Sequence, residues 1–300
     1  MSSMENRNFM ILRANAKINL ALDVIGERPN GYHDVKMIMQ SVNLYDELDI
    51  RENDCGNIIL KSDNDEIVCD ESNLIYRAAV LLQNSVNRHD GVTIKLTKNI
   101  PVAAGMAGGS TDAAATLVGL NKLFGYGLDN EQLRNIGVKL GADIPFCIEG
   151  GTYLSEGIGE ILTPLANAPD CFLVIIKPDI NVSTKYVYDN LILDNNTCHP
   201  NVDFMLSQIE ANSLAGVASC LGNILETVTA NKYSIIKDIK ELLLEKGALN
   251  ALMSGSGPTV FGIFEARGDA EEALNFLKSR INFKQGFVTT FAKEGICIIP

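Results

Sequence analysis

The stretch Pro101-Val102-Ala103-Ala104-Gly105-Met106-Ala107-Gly108-Gly109-Ser110-Thr111-Asp112, continued by Ala113-Ala114-Ala115, decides how the rest of the chain is read. It follows Gly91 to Thr97, whose alternating pattern predicts a strand. It runs into small residues that predict a helix from about Thr111 to Phe124, stopped by Gly125. A helix start leaves backbone N–H groups unpaired and carries about half a positive charge. Glycines ahead of it permit φ > 0 and let a bulky anion approach the main chain. Strand, glycine loop and helix in this order make a phosphate cradle. No Lys follows the glycines, so this is not a Walker loop, and the spacing is not that of the dinucleotide fingerprint. The competing reading is a glycine-rich surface turn before an alanine-rich core helix.

Bulk composition narrows the choice. Three hundred residues suffice for two ordinary domains or one large one. With 46% hydrophobic and 21% charged residues the chain can bury a sizeable core. A net charge of −12 disfavours non-specific binding to nucleic acid or to an anionic membrane, which needs clustered Lys and Arg. Any phosphate must therefore be attracted locally, by backbone N–H groups, a few cations or a metal. The seven cysteines are scattered without a C-x-x-C pair, and the three histidines are far apart. That argues against a structural zinc site and reads as reduced thiols of a cytoplasmic protein. No apolar run approaches the ~20 residues of a membrane span. Met1 to Asn8 is polar, lacks a signal-peptide core and reads as a tail, with Met10 an equally natural start.

Upstream of the loop, residues 11–25 read as a strand. From Ala16 its pattern puts Ile18, Leu20, Leu22 and Val24 on one face and Lys17, Asn19, Ala21 and Asp23 on the other. Pro29-Asn30-Gly31 predicts a tight turn, with Tyr32 and His33 just after it. Val35 to Ile50 predicts one or two strands with a break near Asn43-Leu44-Tyr45-Asp46. Ile58 to Lys61 predicts a third strand, residues 62–72 an acidic loop, and Asn73 to Val86 a helix.

Downstream, Asp129 caps a helix over Asn130 to Leu140 that ends at Gly141. Asp143, in Gly141-Ala142-Asp143-Ile144-Pro145, is either a cap and turn residue or a poised carboxylate. Residues 147–162 read as two short strands. Thr163 to Asp170, with Pro164 and Pro169, is the predicted boundary between domains 1–165 and 166–300. Cys171 to Lys177 reads as a buried strand, and 185–247 as helices separated by polar loops such as Asp194 to Thr197. Ser254 to Pro258 is a second glycine-serine loop, which alone reads as a tight hairpin turn. Val260 to Phe264, Asp269 to Ser279 and Gly286 to Phe291 predict strand, helix and final strand.

Ala16-Lys17-Ile18-Asn19, the loop from Pro101 to Asp112, and Met253-Ser254-Gly255-Ser256-Gly257-Pro258-Thr259 occur in the order of three motifs of the GHMP kinases, named for galactose, homoserine, mevalonate and phosphomevalonate. Asn30-Gly31-Tyr32-His33, Asn43 to Leu48, Gly141 to Pro145 and Glu156 to Ile161 resemble, more narrowly, the 4-diphosphocytidyl-2-C-methyl-D-erythritol kinases. The resemblance spans about residues 11 to 298.

That resemblance implies an α+β fold of two domains. One is similar to the second domain of ribosomal protein S5 and the other to ferredoxin, with a cleft between them. It implies ATP and Mg²⁺ as cofactors and a cytidine-diphosphate-linked methylerythritol as small-molecule partner, phosphorylated on its 2-hydroxyl in non-mevalonate isoprenoid synthesis. Pro101 to Thr111 are implied at the ATP phosphates, with Ser110 or Thr111 either on a phosphate or Mg²⁺ or capping the helix. Ala107 stands where relatives often have glycine, and its methyl group fits at φ < 0. Asp143 is implied as the catalytic carboxylate and Lys17 as its cationic partner. Asn19 is implied near the transferred group, Tyr32 and Tyr188 on the cytosine face and His33 at its edge. Lys98 and Asn73 are implied on the nucleoside side of ATP. For Tyr188 the alternative is a core residue of an amphipathic helix, for Lys98 a surface lysine, and for Asn73 a helix cap.

Overall fold

A computed structural model describes residues 8–29, 31–194 and 197–299. Residues 1–7 of the expected tail, Asn30 of the expected turn, and Asn195 and Asn196 of the polar loop lie outside the described residues. The first half contains β1 (Phe9–Glu27), β2 (His33–Glu52), β3 (Ile58–Ser62), α1 (Leu74–Ser85), β4 (Val92–Thr97), α2 (Gly108–Leu123), α3 (Asn130–Gly137), α4 (Ile144–Glu149), β5 (Thr152–Glu156) and β6 (Ile161–Pro164). The second contains β7 (Phe172–Lys177), α5 (Thr184–Asp189), α6 (Val202–Glu210), α7 (Leu214–Ser219), β8 (Gly222–Asn223), α8 (Glu226–Lys232), α9 (Ile235–Glu245), β9 (Asn250–Met253), β10 (Val260–Phe264), α10 (Arg267–Arg280), β11 (Gln285–Thr290) and β12 (Ile296–Ile299).

The long antiparallel pair β1–β2 is the spine of an eight-stranded sheet ordered β12-β1-β2-β4-β3, with β5 and β6 continuing from β2 and β8 lying beside β1. Its register slips where β2 has extra residues at Asn43 and Leu44, and again at Leu20 of β1. The one-residue slip at Leu20 reverses which face the following side chains meet, because strand side chains alternate with period two, and the faces also change across the irregularity at Asn43 and Leu44. Leu12 and Ala14 pack with the helices α1 and α2, whereas Ile18 and Leu20 join a core on the opposite face. After the bulge Leu22 and Val24 return to the helix side. The uninterrupted alternation expected from Ile18 to Val24 is thereby corrected. Lys17 and Asn19 stand on the same side as Leu22, and the bulge is what permits it.

The second sheet is antiparallel and ordered β11-β7-β10-β9. Strand, helices, two strands, helix and strand in that order give the expected ferredoxin-like arrangement. The core containing Ile18 and Leu20 of β1 also contains Leu173, Ile175, Phe261 and Ile263 of this sheet, so the two sheets share one apolar interior. Among the described residues no helix is long and apolar enough to cross a membrane.

Three local expectations change. Helix α2 begins at Gly108, because the glycines themselves enter the first turn. Residues 147–149, expected at the start of a strand, belong to α4, which is started by Pro145 and ended by Gly150 at φ +67. Gly286 to Phe291 is not the last strand: β12 follows and returns to pair with β1. The segment leading into it crosses α4 so closely that a Cβ on Gly150 would lie 1.7 Å from the Gly295 nitrogen. It also accepts bonds from Asn15, whose N and Nδ2 donate to Gly295 and Glu294 carbonyls at 2.8 Å each. The chain's end thus clamps β1 to α4, the elements that carry Lys17 and Asp143.

Candidate active site

A cleft of about 960 Å³ lies between the glycine loop and the second half of the chain. Its wall is lined by Pro101 to Gly105 and Ala107 to Ser110, opposite Thr184, Lys185, Tyr188, Gly255 and Ser256. Within the loop Ala103, Gly105 and Ala107 have φ of 51°, 73° and 56°. Every second residue is therefore left-handed, the alternation that curls successive N–H groups into an anion-binding concavity. Ala107 does not take the negative φ under which its methyl was expected to fit. It holds the N-cap position of α2 in a conformation that costs a non-glycine residue about 1–2 kcal/mol. Met106 and Thr111 face away from the cleft. Met106 is buried, with its carbonyl accepting from Lys17 N, and the Thr111 hydroxyl donates to the Asn15 carbonyl at 2.8 Å.

The second glycine-serine loop is the hairpin turn expected of it, and it has a second role. It joins β9 to β10 as a hairpin, and it packs on the phosphate loop. Ser254 Oγ donates to the Gly105 carbonyl at 3.0 Å, and a Cβ on Gly105 would meet the Ser254 carbonyl at 2.3 Å. Buried Asn223 holds the hairpin by donating to the Met253 and Gly255 carbonyls at 2.8 and 2.7 Å. Thr184 and Ser256 hydroxyls meet at 2.9 Å, tying α5 to the same loop.

Lys17 enters the cleft from β1 while only 5% exposed. Its ammonium donates to Asn19 Oδ1 at 2.9 Å and lies 3.8 Å from Asp143 Oδ2. Asp143 occupies the N-cap position of α4, yet its side chain makes no capping bond. The cap reading is thereby set aside, and the carboxylate faces the cleft a third exposed. Its charge, after burial, helps push the Tyr188 hydroxyl up to about 12. The buried Cys147 thiol is likewise raised, by burial first and then by Asp143.

Asn19 was expected beside the substrate. It is fully buried, with its oxygen taken by Lys17 and its amide donating to Met37 Sδ at 3.2 Å. Its position therefore orients Lys17. Asn73 and Lys98 line the cleft but also carry structural bonds. Asn73 Oδ1 caps α1 by accepting from Ile75 N at 2.9 Å, and its amide donates to the Val68 carbonyl at 2.7 Å. The Lys98 side chain is 3% exposed, not at the surface, and its ammonium is held between Asp46 and, at 2.7 Å, Asp112. Asp46 Oδ1 also accepts from Asn99 N and Ile100 N at 2.6 and 2.8 Å, just before the loop begins. His33 and Tyr188 meet ring to ring at 4.9 Å, and Tyr32 beside them is 58% exposed.

Sequence reasoning missed Asp46 and Asp112 as partners of Lys98, and Thr184 and Lys185 as cleft residues. Asp112 was visible as an acid inside an alanine-rich helix, where burial without a cation is costly. Nothing local marks Lys185, since its place depends on how α5 docks. Among the described residues no group of three His, Cys, Asp or Glu side chains could hold a metal by itself.

Comparison with known proteins bears on this arrangement. Residues 73–151 match the family model described as GHMP kinases N terminal domain, and 205–282 match GHMP kinases C terminal. The chain is 53% identical over 280 residues to 4-diphosphocytidyl-2-C-methyl-D-erythritol kinase of Lachnoclostridium phytofermentans, covering 93% of this chain and 96% of that one. A crystal structure of 4-(cytidine 5'-diphospho)-2C-methyl-D-erythritol kinase superposes with a TM-score of 0.80 at 30% identity, over 94% of this chain and 99% of that one. Homoserine kinase from Cytophaga hutchinsonii superposes equally well, TM-score 0.82, over 100% and 99% of the two chains. At 20% identity that likeness concerns the fold alone.

Proposed function

The chain belongs to the GHMP kinases, and among them to the 4-diphosphocytidyl-2-C-methyl-D-erythritol kinase family; on that premise we propose that it transfers the γ-phosphoryl group of ATP to the 2-hydroxyl of 4-diphosphocytidyl-2-C-methyl-D-erythritol. The products are the 2-phosphate and ADP, in non-mevalonate isoprenoid precursor synthesis. The observation that carries the site assignment is the Lys17–Asp143 pair at 3.8 Å on the floor of a cleft walled by a nest-forming glycine loop.

Phosphoryl transfer asks the protein for alignment and charge stabilisation more than for covalent chemistry. We assign the N–H groups of Gly105 to Ser110 and the start of α2 to the ATP phosphates. The alternating backbone handedness supports this. Mg²⁺ would be held by phosphate oxygens together with the Ser110 hydroxyl, and supplies further neutralisation of phosphate charge when bound. A magnesium ion usually keeps several waters and few protein ligands, which suits a cleft without an acidic cage.

The substrate hydroxyl would sit against Asp143 and Lys17. A carboxylate is a weak base and an alcohol is a weak acid, so early deprotonation is disfavoured. Asp143 instead orients the hydroxyl and accepts its proton as the O–P bond forms. Lys17 stabilises the charge that develops on that oxygen. Tyr32, His33 and Tyr188 form the slot for cytosine, a flat base with a hydrogen-bonding edge. Domains 1–165 and 166–300 would supply the phosphate loop and the closing wall.

The test is a coupled assay of ADP release with the cytidylyl substrate, with and without Mg²⁺, against mevalonate and homoserine. Turnover of either alternative and none of the cytidylyl substrate would refute the assignment.

A further inference from the structure

Among the described residues lining the cleft the cationic side chains are Lys17, Lys98 and Lys185. Lys98 is enclosed by Asp46 and Asp112, and Lys17 faces Asp143 and Asn19. Lys185 differs. Its side chain is 83% exposed, and its ammonium rests 2.8 Å from Oδ2 of Asp189, one helical turn along α5. Exposed pairs of this kind contribute roughly 0–1 kcal/mol, so the ammonium leaves Asp189 easily for a denser anion.

Helix α5 runs between the two ends of the site. Near its C-terminal end Tyr188 touches the His33 ring. At its N-terminal end Thr184 is bonded to Ser256 of the hairpin that packs on Gly105. Residues three apart on a helix are neighbours about 5–6 Å apart, so Lys185 stands one turn from Tyr188 toward the phosphate loop. Chemical connectivity puts an ionised diphosphate between the cytosine ring and the polyol that is phosphorylated. In a chain of net charge −12 that anion has no long-range attraction to rely on.

The geometry points to Lys185 as the residue that binds the diphosphate of the cytidylyl substrate, with Asp189 holding its ammonium at the rim until substrate arrives. This rests on the proposed function, because it takes the slot at His33 and Tyr188 to be the cytosine site. Lys185 acts on substrate affinity and specificity, and the chemistry stays with Lys17 and Asp143.

Calorimetric titration of cytidine, CDP and ADP into the wild-type protein, Lys185→Gln and Asp189→Asn tests it. Lys185→Gln is expected to weaken CDP roughly fivefold to tenfold, the range of a partly exposed charge-assisted phosphate contact, while cytidine and ADP bind as before. Asp189→Asn, which removes the competing carboxylate, is expected to tighten CDP about twofold to threefold. If the pair merely stabilised α5, both variants would weaken cytidine and CDP together, and that outcome overturns the proposal. So does an unchanged ratio of CDP to cytidine affinity in Lys185→Gln, or a loss confined to ADP. Wild-type protein that binds neither cytidine nor CDP would instead overturn the functional assignment beneath it.

Discussion

The Lys17 ammonium lies 3.8 Å from Asp143 Oδ2 and is held there by Asn19 at 2.9 Å, three side chains from β1 and the start of α4. The Asp143 side chain makes no capping bond, so its removal should leave α4 intact. Asp143→Ala and Lys17→Met should each lower kcat about 10²- to 10⁴-fold. Circular dichroism of Asp143→Ala should match wild type. Asn19→Ala should cost less, since Lys17 keeps its charge and loses only its guide. Coupled ADP release measures all three, and undiminished turnover in Asp143→Ala would remove it from the mechanism.

Ala107 and Ala103 hold left-handed backbone at φ 56° and 51°. Glycine adopts that conformation without a Cβ penalty, although its unfolded chain is freer by about 0.4–1 kcal/mol. Ala107→Gly and Ala103→Gly should each raise unfolding stability by up to about 1 kcal/mol in urea titration. ATP affinity should stay similar or improve. A marked loss of ATP binding in Ala107→Gly would show that the methyl group, not the backbone path, shapes the cradle.

What the sequence disclosed followed from local physics. The strand–loop–helix order around 101–112, the capping signals at Asn73 and Asp129, and the strand and helix over Val260 to Ser279 depend on near neighbours, and they form where the sequence places them, although α2 starts earlier, at Gly108. The bulge at Leu20 was invisible because Ile18 to Val24 alternates without interruption in sequence, and only pairing with Met39 and Ile38 of β2 exposes the slip. Strand β12 escaped because its partner lies almost the whole chain away in β1. The same holds for the site. Lys17 and Asp143 stand out as chemistry, whereas Asp46 joining Lys98 and Lys185 reaching the cleft are products of docking.

Gly105 is the point where the two loops touch. A Cβ there would lie 2.3 Å from the Ser254 carbonyl, and its φ is +73°. Neither backbone can yield without moving the cradle or the hairpin. Gly125 has a similar φ, +61°, but open space around it. Gly125→Ala should therefore cost about 1–2 kcal/mol of strain and leave ATP binding alone. Gly105→Ala should destabilise more and weaken ATP at least tenfold, about 1.4 kcal/mol, through the displaced N–H groups. Chemical unfolding and nucleotide titration of both variants make the comparison. Equal effects would mean that the loop contact has no role in shaping the cradle.

Buried Lys98 links Asp46, which anchors the backbone entering the phosphate loop, to Asp112 in the helix leaving it. Burial alone would lower the Lys98 pKa, but the charges of Asp112 and Asp46 outweigh it and hold the ammonium protonated. The Asp112 carboxyl goes well above its ordinary 3.8, first through burial and then against Asp46, despite the attraction of Lys98. Its Oδ1 is buried without a hydrogen-bond partner, which leaves ionisation poorly compensated. Above pH 3.8 the unfolded chain releases this proton while the native state keeps it. The native state then binds more protons, so the Asp112 contribution to stability falls as pH rises from 3.8 through the raised native value. Asp112→Asn, similar in shape and without a titrating proton, should flatten that fall in unfolding curves taken from pH 4 upward. Lys98→Met leaves two buried acids without their cation and should cost about 3–5 kcal/mol at neutral pH. Adding Asp112→Asn to Lys98→Met should recover part of that loss, because one of the two uncompensated acids is gone. A double variant no more stable than Lys98→Met would show that the lysine acts on the loop without Asp112.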